Sequence, residues 1–179
     1  MDDQIEYKGQ TYNRRNGMWF DKNYMRVAHL EQTLNKLYVQ KNPIGDKTPE
    51  ELIREGDSYK KSAYYHLAIK YYEEALKKPT LENCQYVLPR ITSCYRRQGL
   101  SKRAIDLFER AQEVFGRDIH TAPLFTSVAA ACCDIQDYEK AKKYANKAFS
   151  INGWASAELK AVYGRIRKET NSDRDDAFT

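Results

Sequence analysis

Residues 68–75 read Ala-Ile-Lys-Tyr-Tyr-Glu-Glu-Ala, and the pattern returns as Ala-Ile-Asp-Leu-Phe-Glu-Arg-Ala at 104–111 and as Ala-Lys-Lys-Tyr-Ala-Asn-Lys-Ala at 141–148. The leading alanines, Ala68, Ala104 and Ala141, are 36 and 37 residues apart. A fixed period of this length is typical of repeated supersecondary units. The chain is therefore predicted to contain three copies of one unit.

Each copy has a matching segment upstream of its first alanine. Twelve residues before the alanine stands a small residue, and three residues after that a larger one; the pairs are Gly56 and Tyr59, Thr92 and Tyr95, and Ala129 and Cys132. Small residues at one offset allow two helix backbones to approach closely, while the large residues interdigitate. Each copy is therefore predicted to be a helical hairpin.

This pattern resembles the tetratricopeptide repeat (TPR), a helical hairpin with a period of about 34 residues. The resemblance covers residues 49–153 and rests on the following signature positions: Leu52, Gly56, Tyr59, Tyr65, Ala68, Tyr72 and Ala75, then Leu88, Tyr95, Gly99, Ala104, Phe108 and Ala111, then Phe125, Ala129, Tyr138, Ala141 and Ala148. It implies a right-handed α-solenoid of three hairpins. The residues on either side of the repeats add a capping helix and a small N-terminal β-meander, so the predicted fold class is all-α with a small sheet.

The chain departs from the family pattern at the ends of the units. The closing proline is shifted to Pro79 in the first unit, and glycines, Gly116 and Gly153, stand in its place in the other two. Glycine can end a helix in the left-handed conformation, so the turns are expected to survive. Pro89 falls inside the first helix of the second unit, which is therefore predicted to start late or to kink.

The predicted organisation has four parts. Residues 1–45 form a β-meander and a helix that cap the N-terminal end, and residues 46–153 hold the repeats, at about 49–80, 85–116 and 122–153. Residues 154–168 form a C-terminal capping helix, with Trp154 filling the joint before it, and residues 169–179 form an acidic, disordered tail. Thr48, Pro49 and Glu51 predict a capping box where the first repeat begins.

The meander is predicted from Asn16-Gly17 between aromatic and β-branched runs, because both central residues of a type I′ turn need positive φ. Two functions are open for it. It can act as a lid packed on the helices, or as a basic-aromatic surface that stacks on bases or binds a peptide. The residues of that alternative surface are Tyr12, Arg14, Arg15, Trp19, Tyr24 and Arg26.

Composition narrows the class of protein. The 179 residues are 41% hydrophobic and 31% charged, with 8 glycines and 5 prolines, which argues against collagen-like and disordered chains. No apolar run reaches the roughly 20 residues of a membrane span, and the N-terminus is acidic, so a soluble cytoplasmic protein without membrane contact is predicted. The net charge of +5 favours acidic partners.

The sequence contains no recognisable catalytic or metal-binding motif. His29, His66 and His120 are far apart, and no phosphate-binding or serine-hydrolase motif occurs. The four cysteines are expected to be reduced, with one of Cys132 and Cys133 buried. We predict no enzyme activity, no cofactor and no metal.

The resemblance places the first helix of each hairpin along a concave face. That implies these groove residues: Ile53, Asp57, Lys60 and Lys61, then Tyr86, Ser93, Arg96 and Arg97, then Thr126, Ala130, Cys133 and Asp134. The four cations would form adjacent positive rungs, or would be ordinary solvated side chains. Ile53 and Asp57 replace the first pair of the clamp with which some members hold a C-terminal Glu-Glu-Val-Asp, so that ligand is not expected.

The predicted function is a non-enzymatic adaptor or scaffold that binds another protein through an acidic or extended peptide in this groove. Nucleic-acid binding through the meander and the basic rungs is a second hypothesis, and it requires a steep salt dependence. Assembly into a homo-oligomer is a third.

Overall fold

The computed structural model describes residues 3–175 and divides the chain into two compact units, one ending at Lys78 and one beginning at Pro79. The first unit contains strands β1 (Gln4–Tyr7), β2 (Gln10–Arg15) and β3 (Met18–Phe20), then helices α1 (Glu31–Lys41), α2 (Pro49–Lys61) and α3 (Tyr65–Ala75). Short 3-10 turns lie at Ala28–Leu30 and Ile44–Asp46.

The second unit is helical, with α4 (Leu81–Arg97), α5 (Ser101–Phe115), α6 (Ala122–Asp134), α7 (Tyr138–Asn152) and α8 (Ala157–Asp175), and a 3-10 turn at Gly116–Asp118. None of the described helices is both long and apolar enough to span a membrane. The predicted all-α class with a small N-terminal sheet is confirmed.

The three predicted hairpins are α2–α3, α4–α5 and α6–α7, and the same turn closes each of them. Ala63, Gly99 and Gln136 have φ of 62°, 71° and 62°. The residue after each donates its N–H to the carbonyl five positions earlier, at 2.9, 2.8 and 3.0 Å. This Schellman geometry recurs with the spacing of the alanines, so the repeat extends to the backbone.

The first hairpin shows why the small residue is needed. A Cβ at Gly56 would lie 2.6 Å from Cε1 of Tyr72, whose ring is fully buried. Tyr59 and Tyr71 stack beside it with their ring centroids 5.4 Å apart. The capping box at Thr48 is confirmed, because Thr48 and Glu51 exchange hydrogen bonds of 2.9 and 3.3 Å.

The N-terminal sheet is an antiparallel meander in the order β1-β2-β3. Asn16 and Gly17 both have positive φ, as predicted for the β2–β3 turn. The turn lies against α2, because the Ser62 hydroxyl donates to the Asn16 carbonyl at 2.7 Å. Trp19 is fully buried, and its Nε1 donates to Asn35 of α1 at 2.8 Å. The sheet is therefore packed on the first unit's helices, as the lid hypothesis predicts.

In the second unit α6 lies at the centre and packs against α4, α5, α7 and α8. Phe125 of α6 contacts Phe108 of α5 and Tyr144 of α7, with centroid distances of 5.8 and 6.0 Å. Residues 124–133 of α6 are therefore all buried. Cys132 and Cys133 are accordingly both buried, whereas only one was expected to be.

Several local predictions need correction. Helix α4 begins at Leu81 and includes Pro89, so the predicted late start is wrong. Gly153 ends α7 in the left-handed conformation as expected, whereas Gly116 combines φ of 56° with ψ of −128°. Helix α8 includes residues 169–175 of the predicted tail, and residues 176–179 lie outside the described part. Trp154 is 61% exposed and does not fill the joint before α8.

Candidate protein-binding surfaces

The predicted groove residues of the first unit lie along α2. Lys61 is exposed, while Ile53, Asp57 and Lys60 are partly exposed. Asp57 accepts a hydrogen bond of 2.6 Å from the Tyr72 hydroxyl, so this carboxylate helps to join α2 to α3. Lys60 and Lys61 are the accessible cations at the C-terminal end of α2.

The second unit presents its predicted residues along α4. Tyr86 is 42% exposed, and the guanidinium carbon of Arg90 lies 3.5 Å from its ring centroid. Arg90 also donates to the Tyr86 carbonyl at 2.8 Å, so the pair is held on the helix surface. Ser93 is partly exposed and Arg97 is exposed. A cation stacked on a ring gives α4 a surface that is both apolar and positive.

Arg96 has a different role from the one predicted. Its Nε lies 2.7 Å from Asp134 of α6, and its Nη1 lies 3.6 Å from Glu158 of α8. Arg165 of α8 holds the other oxygen of Asp134 at 2.8 Å. Arg96 is therefore part of an ion-pair network that joins three helices, and it is not a free positive rung.

This network borders a cleft of about 390 Å³. Burial alone would raise the pKa of Asp134, but hydrogen bonds from Arg96, Arg165 and Ser101 outweigh it and hold that pKa below its usual range. The carboxylate is thus ionised at neutral pH, and its ion pairs hold it at the side of the cleft. The sequence did not indicate that Arg165 pairs with Asp134, because these two residues lie 31 positions apart.

The remaining groove residues of the third unit are not accessible. Thr126, Ala130 and Cys133 are 4%, 2% and 2% exposed, because α6 is covered by its four neighbouring helices. The prediction that Thr126, Ala130 and Cys133 line an open groove is wrong. Asp134 is the only predicted residue of α6 with a partly exposed side chain.

The alternative basic-aromatic surface on the meander is largely inside the first unit. Tyr12, Arg14 and Trp19 are 6%, 6% and 0% exposed. Arg14 forms an ion pair of 2.8 Å with Glu55 of α2, and its guanidinium lies between the rings of Tyr38 and Tyr59, at 4.3 and 4.5 Å. These side chains stabilise the packing of the sheet and cannot stack on bases.

The outer residues of that set are also engaged. The Arg15 guanidinium lies 5.0 Å from the Tyr24 ring centroid. Arg26 donates to both carboxylate oxygens of Glu31, at 2.9 and 3.1 Å, and Tyr64 donates to the same carboxylate at 2.6 Å. Burial, together with the hydrogen bond to Glu31, raises the pKa of Tyr64 to about 12. The contacts of Glu31 with Arg26 and Tyr64 join the segment after β3 to the helices, whereas Arg15 and Tyr24 remain exposed.

The thiols are poor nucleophiles. Burial raises the pKa of Cys84 to about 11 and that of Cys132 to about 12. All four cysteines are buried, and none of them forms a disulfide bond. Among the described residues, no group of three or more His, Cys, Asp or Glu side chains is placed to hold a metal ion.

Comparisons with known proteins agree with this geometry. Residues 52–77, which span most of α2 and α3, match the family model described as tetratricopeptide repeat. Comparison with curated proteins gave no significant match.

Two solved structures have a similar fold. The TPR domain of Sgt2 from Aspergillus fumigatus superimposes with a TM-score of 0.61 and 23% identity, covering 70% of this chain and 82% of that one. The C-terminal TPR-containing domain of a Plasmodium falciparum FK506-binding protein gives a TM-score of 0.55 and 19% identity, covering 74% of this chain and 99% of that one.

Proposed function

We propose that this chain, a tetratricopeptide-repeat protein, is a non-enzymatic interaction module that binds a partner protein through the exposed faces of α2 and α4. The observation that carries the proposal is the placement of accessible cations on the first helices of two hairpins. Lys61 ends α2 and Arg97 ends α4. Exposed cations of this kind favour a partner segment that carries carboxylates.

The contacts around Tyr86 and Arg90 add to the proposal. An aromatic ring stacked with a guanidinium is a frequent anchor in protein interfaces, because it offers apolar area and hydrogen-bond donors together. A short peptide ordered on such a surface binds with about micromolar affinity, since its ordering costs entropy. A cytoplasmic setting is part of the proposal, because buried cysteines without disulfide bonds are typical of reducing compartments.

Nucleic-acid binding is the weaker candidate. Its strongest residues, Arg14 and Trp19, are buried in the first unit, and Arg96 is held by Asp134. Without them the phosphate contacts and the stacking platform that this function needs are mostly lost.

The test uses charge reversal on the full chain. Lys61→Glu with Arg97→Glu reverses one exposed cation at the C-terminal end of each of α2 and α4. Lys70→Glu with Lys102→Glu makes the same change of charge on exposed positions of α3 and α5. Arg96 is left intact, because a glutamate there would face Asp134 and Glu158 and would destabilise the fold.

Partners captured from native cells by the unmodified chain are quantified for both variants. We expect the first variant to lose about tenfold in capture while its melting temperature is unchanged, and the second to retain capture. Equal capture by all three proteins would refute the proposed surface. An equal loss in both variants would reduce it to a general charge effect.

A further inference from the structure

A second surface lies within the second unit, between its last two helices. Helices α7 and α8 border a cleft of about 530 Å³. Three cations line it: Lys142 from α7, and Lys160 and Arg167 from α8. The spacing of Lys160, Gly164 and Arg167 places them along one face of α8, so the cations line the length of the cleft.

These three cations differ from their neighbours on the same helices. Lys140 of α7 lies 3.4 Å from Glu109, and Arg165 of α8 lies 2.8 Å from Asp134. No ion pair involves Lys142, Lys160 or Arg167 among the side chains that the structure describes. Like charges gathered in a concave site without counterions create a positive potential that attracts an anion.

The floor of the cleft supplies an independent observation. Gly164 lies inside α8, where glycine costs about 1 kcal/mol relative to alanine. A Cβ at Gly164 would have no atom within 4 Å, so no packing contact of the described structure requires glycine here. Its φ is also not positive. Neither packing nor backbone conformation explains this glycine. Because it is exposed at the cleft and has no side chain, it leaves room for the close approach of a ligand backbone.

We propose that the α7–α8 cleft binds a short acidic peptide segment of a partner protein, with carboxylates paired to Lys142, Lys160 and Arg167 and with the peptide backbone over Gly164. This site is separate from the α2 and α4 surfaces and does not depend on them. Tyr163 and Asn146 hold the middle of the cleft through a hydrogen bond of 2.9 Å between the tyrosine hydroxyl and Asn146 Oδ1. The amide nitrogen of Asn146 remains a donor for a peptide carbonyl.

A peptide fits this cleft better than a nucleic acid does. Single-stranded nucleic acids need exposed aromatic rings on which bases stack. The one ring among the lining residues belongs to Tyr163, which is half-buried and hydrogen-bonded. Ile166 also lines the cleft but is only 6% exposed, so the accessible lining is polar and charged.

The experiment is an NMR titration of the ¹⁵N-labelled full chain with acetyl-hexaglutamate amide. Octathymidylate and hexalysine are titrated in parallel. Lys142→Glu with Lys160→Glu removes cleft cations, whereas Lys143→Glu with Lys168→Glu makes the same charge change on α7 and α8 outside the cleft lining. Gly164→Leu fills the floor and favours helix.

The proposal expects saturable shifts centred on the amides of Asn146, Lys160 and Gly164 with hexaglutamate. The cleft double variant and Gly164→Leu should each weaken binding about tenfold or more, with Gly164→Leu keeping or raising the melting temperature. The control double variant should stay within about threefold. Diffuse or non-saturating shifts, equal losses in both double variants, or full binding by Gly164→Leu would overturn it. Tighter binding of octathymidylate at the same amides would replace the peptide with nucleic acid.

Discussion

Substitution of Arg14 tests whether the meander is a structural lid. Arg14 and Glu55 lie 2.8 Å apart with side chains 4% and 8% exposed, so both charges are removed from water. Arg14→Met leaves the Glu55 carboxyl buried without its cation, with the Tyr38 hydroxyl at 3.1 Å as its remaining hydrogen-bond partner. Removing one member of a buried pair costs about 3–5 kcal/mol. That is a large share of the roughly 5–15 kcal/mol by which a domain is stable.

Glu55→Leu added to Arg14→Met is expected to recover most of this loss. The Nε and Nη2 of Arg14 have no hydrogen-bond partner in the described structure, so the pair is incompletely compensated. Replacement of such a pair by apolar side chains of similar size is often neutral. Tyr38 keeps Asp3 at 3.1 Å as an acceptor. We expect the double variant to lie within about 1 kcal/mol of the unmodified protein.

Urea unfolding of the full chain gives the free energy of unfolding for the unmodified protein, for Arg14→Met and Glu55→Leu alone, and for the double variant. Trp19 is buried in the first unit, whereas Trp154 is exposed in the second. A Trp154→Phe background therefore makes fluorescence report on the first unit alone. An Arg14→Met loss below about 1 kcal/mol, or a double variant no more stable than the weaker single variant, would refute the account of Arg14 as a buried structural cation.

The remaining predictions concern packing, acid stability and thiols. Gly56→Ala should lower the free energy of unfolding by about 1–2 kcal/mol, because overpacking against Tyr72 exceeds the gain in helix propensity. Gly164→Ala should raise the free energy of unfolding by up to about 1 kcal/mol, because it meets no neighbouring atom. Thermal unfolding measures both, and stabilisation by both substitutions would contradict the packing at Gly56. Asp134→Asn should cost about 1 kcal/mol at pH 7, and this cost should shrink as the pH falls, since a carboxylate with a lowered pKa stabilises above its unfolded pKa and loses this contribution as the pH falls through its folded pKa. A cost that does not change with pH would exclude the ion-pair explanation. The four cysteines should react with a thiol reagent only after unfolding, because burial raises the pKa of Cys84 and Cys132, and rapid native labelling would contradict their placement.

Local patterns were enough to predict the hairpins. The alanines and the capping box act within one or two turns of helix, so their signal is present in the sequence itself. The turns that join the two helices of each hairpin have a weaker signal in the sequence. Of the three turns within the hairpins, only the second has a glycine, Gly99, at the position of positive φ. Ala63 and Gln136 adopt the same conformation in the other two, where the packing of the joined helices requires it.

Features that depend on distant contacts were not predicted. Thr126 and Ala130 lie on a first helix, yet α6 is covered on all sides, and the helical period of α6 does not reveal its neighbours. Arg14 and Glu55 are 41 residues apart and Arg96 and Asp134 are 38 apart. A basic residue in a meander or on a helix has the same sequence signal whether it is solvated or paired, and only the tertiary fold decides.

We propose that the accessible faces of α2 and α4 hold another protein. Photo-crosslinking tests it most directly, with one benzophenone side chain placed at position 61 or 97 and, as matched controls, at position 70 or 102. The account predicts a partner adduct of the same mass from positions 61 and 97 and none from the controls. Adducts from the control positions alone, or none from positions 61 and 97 while the partner is still captured, would contradict it.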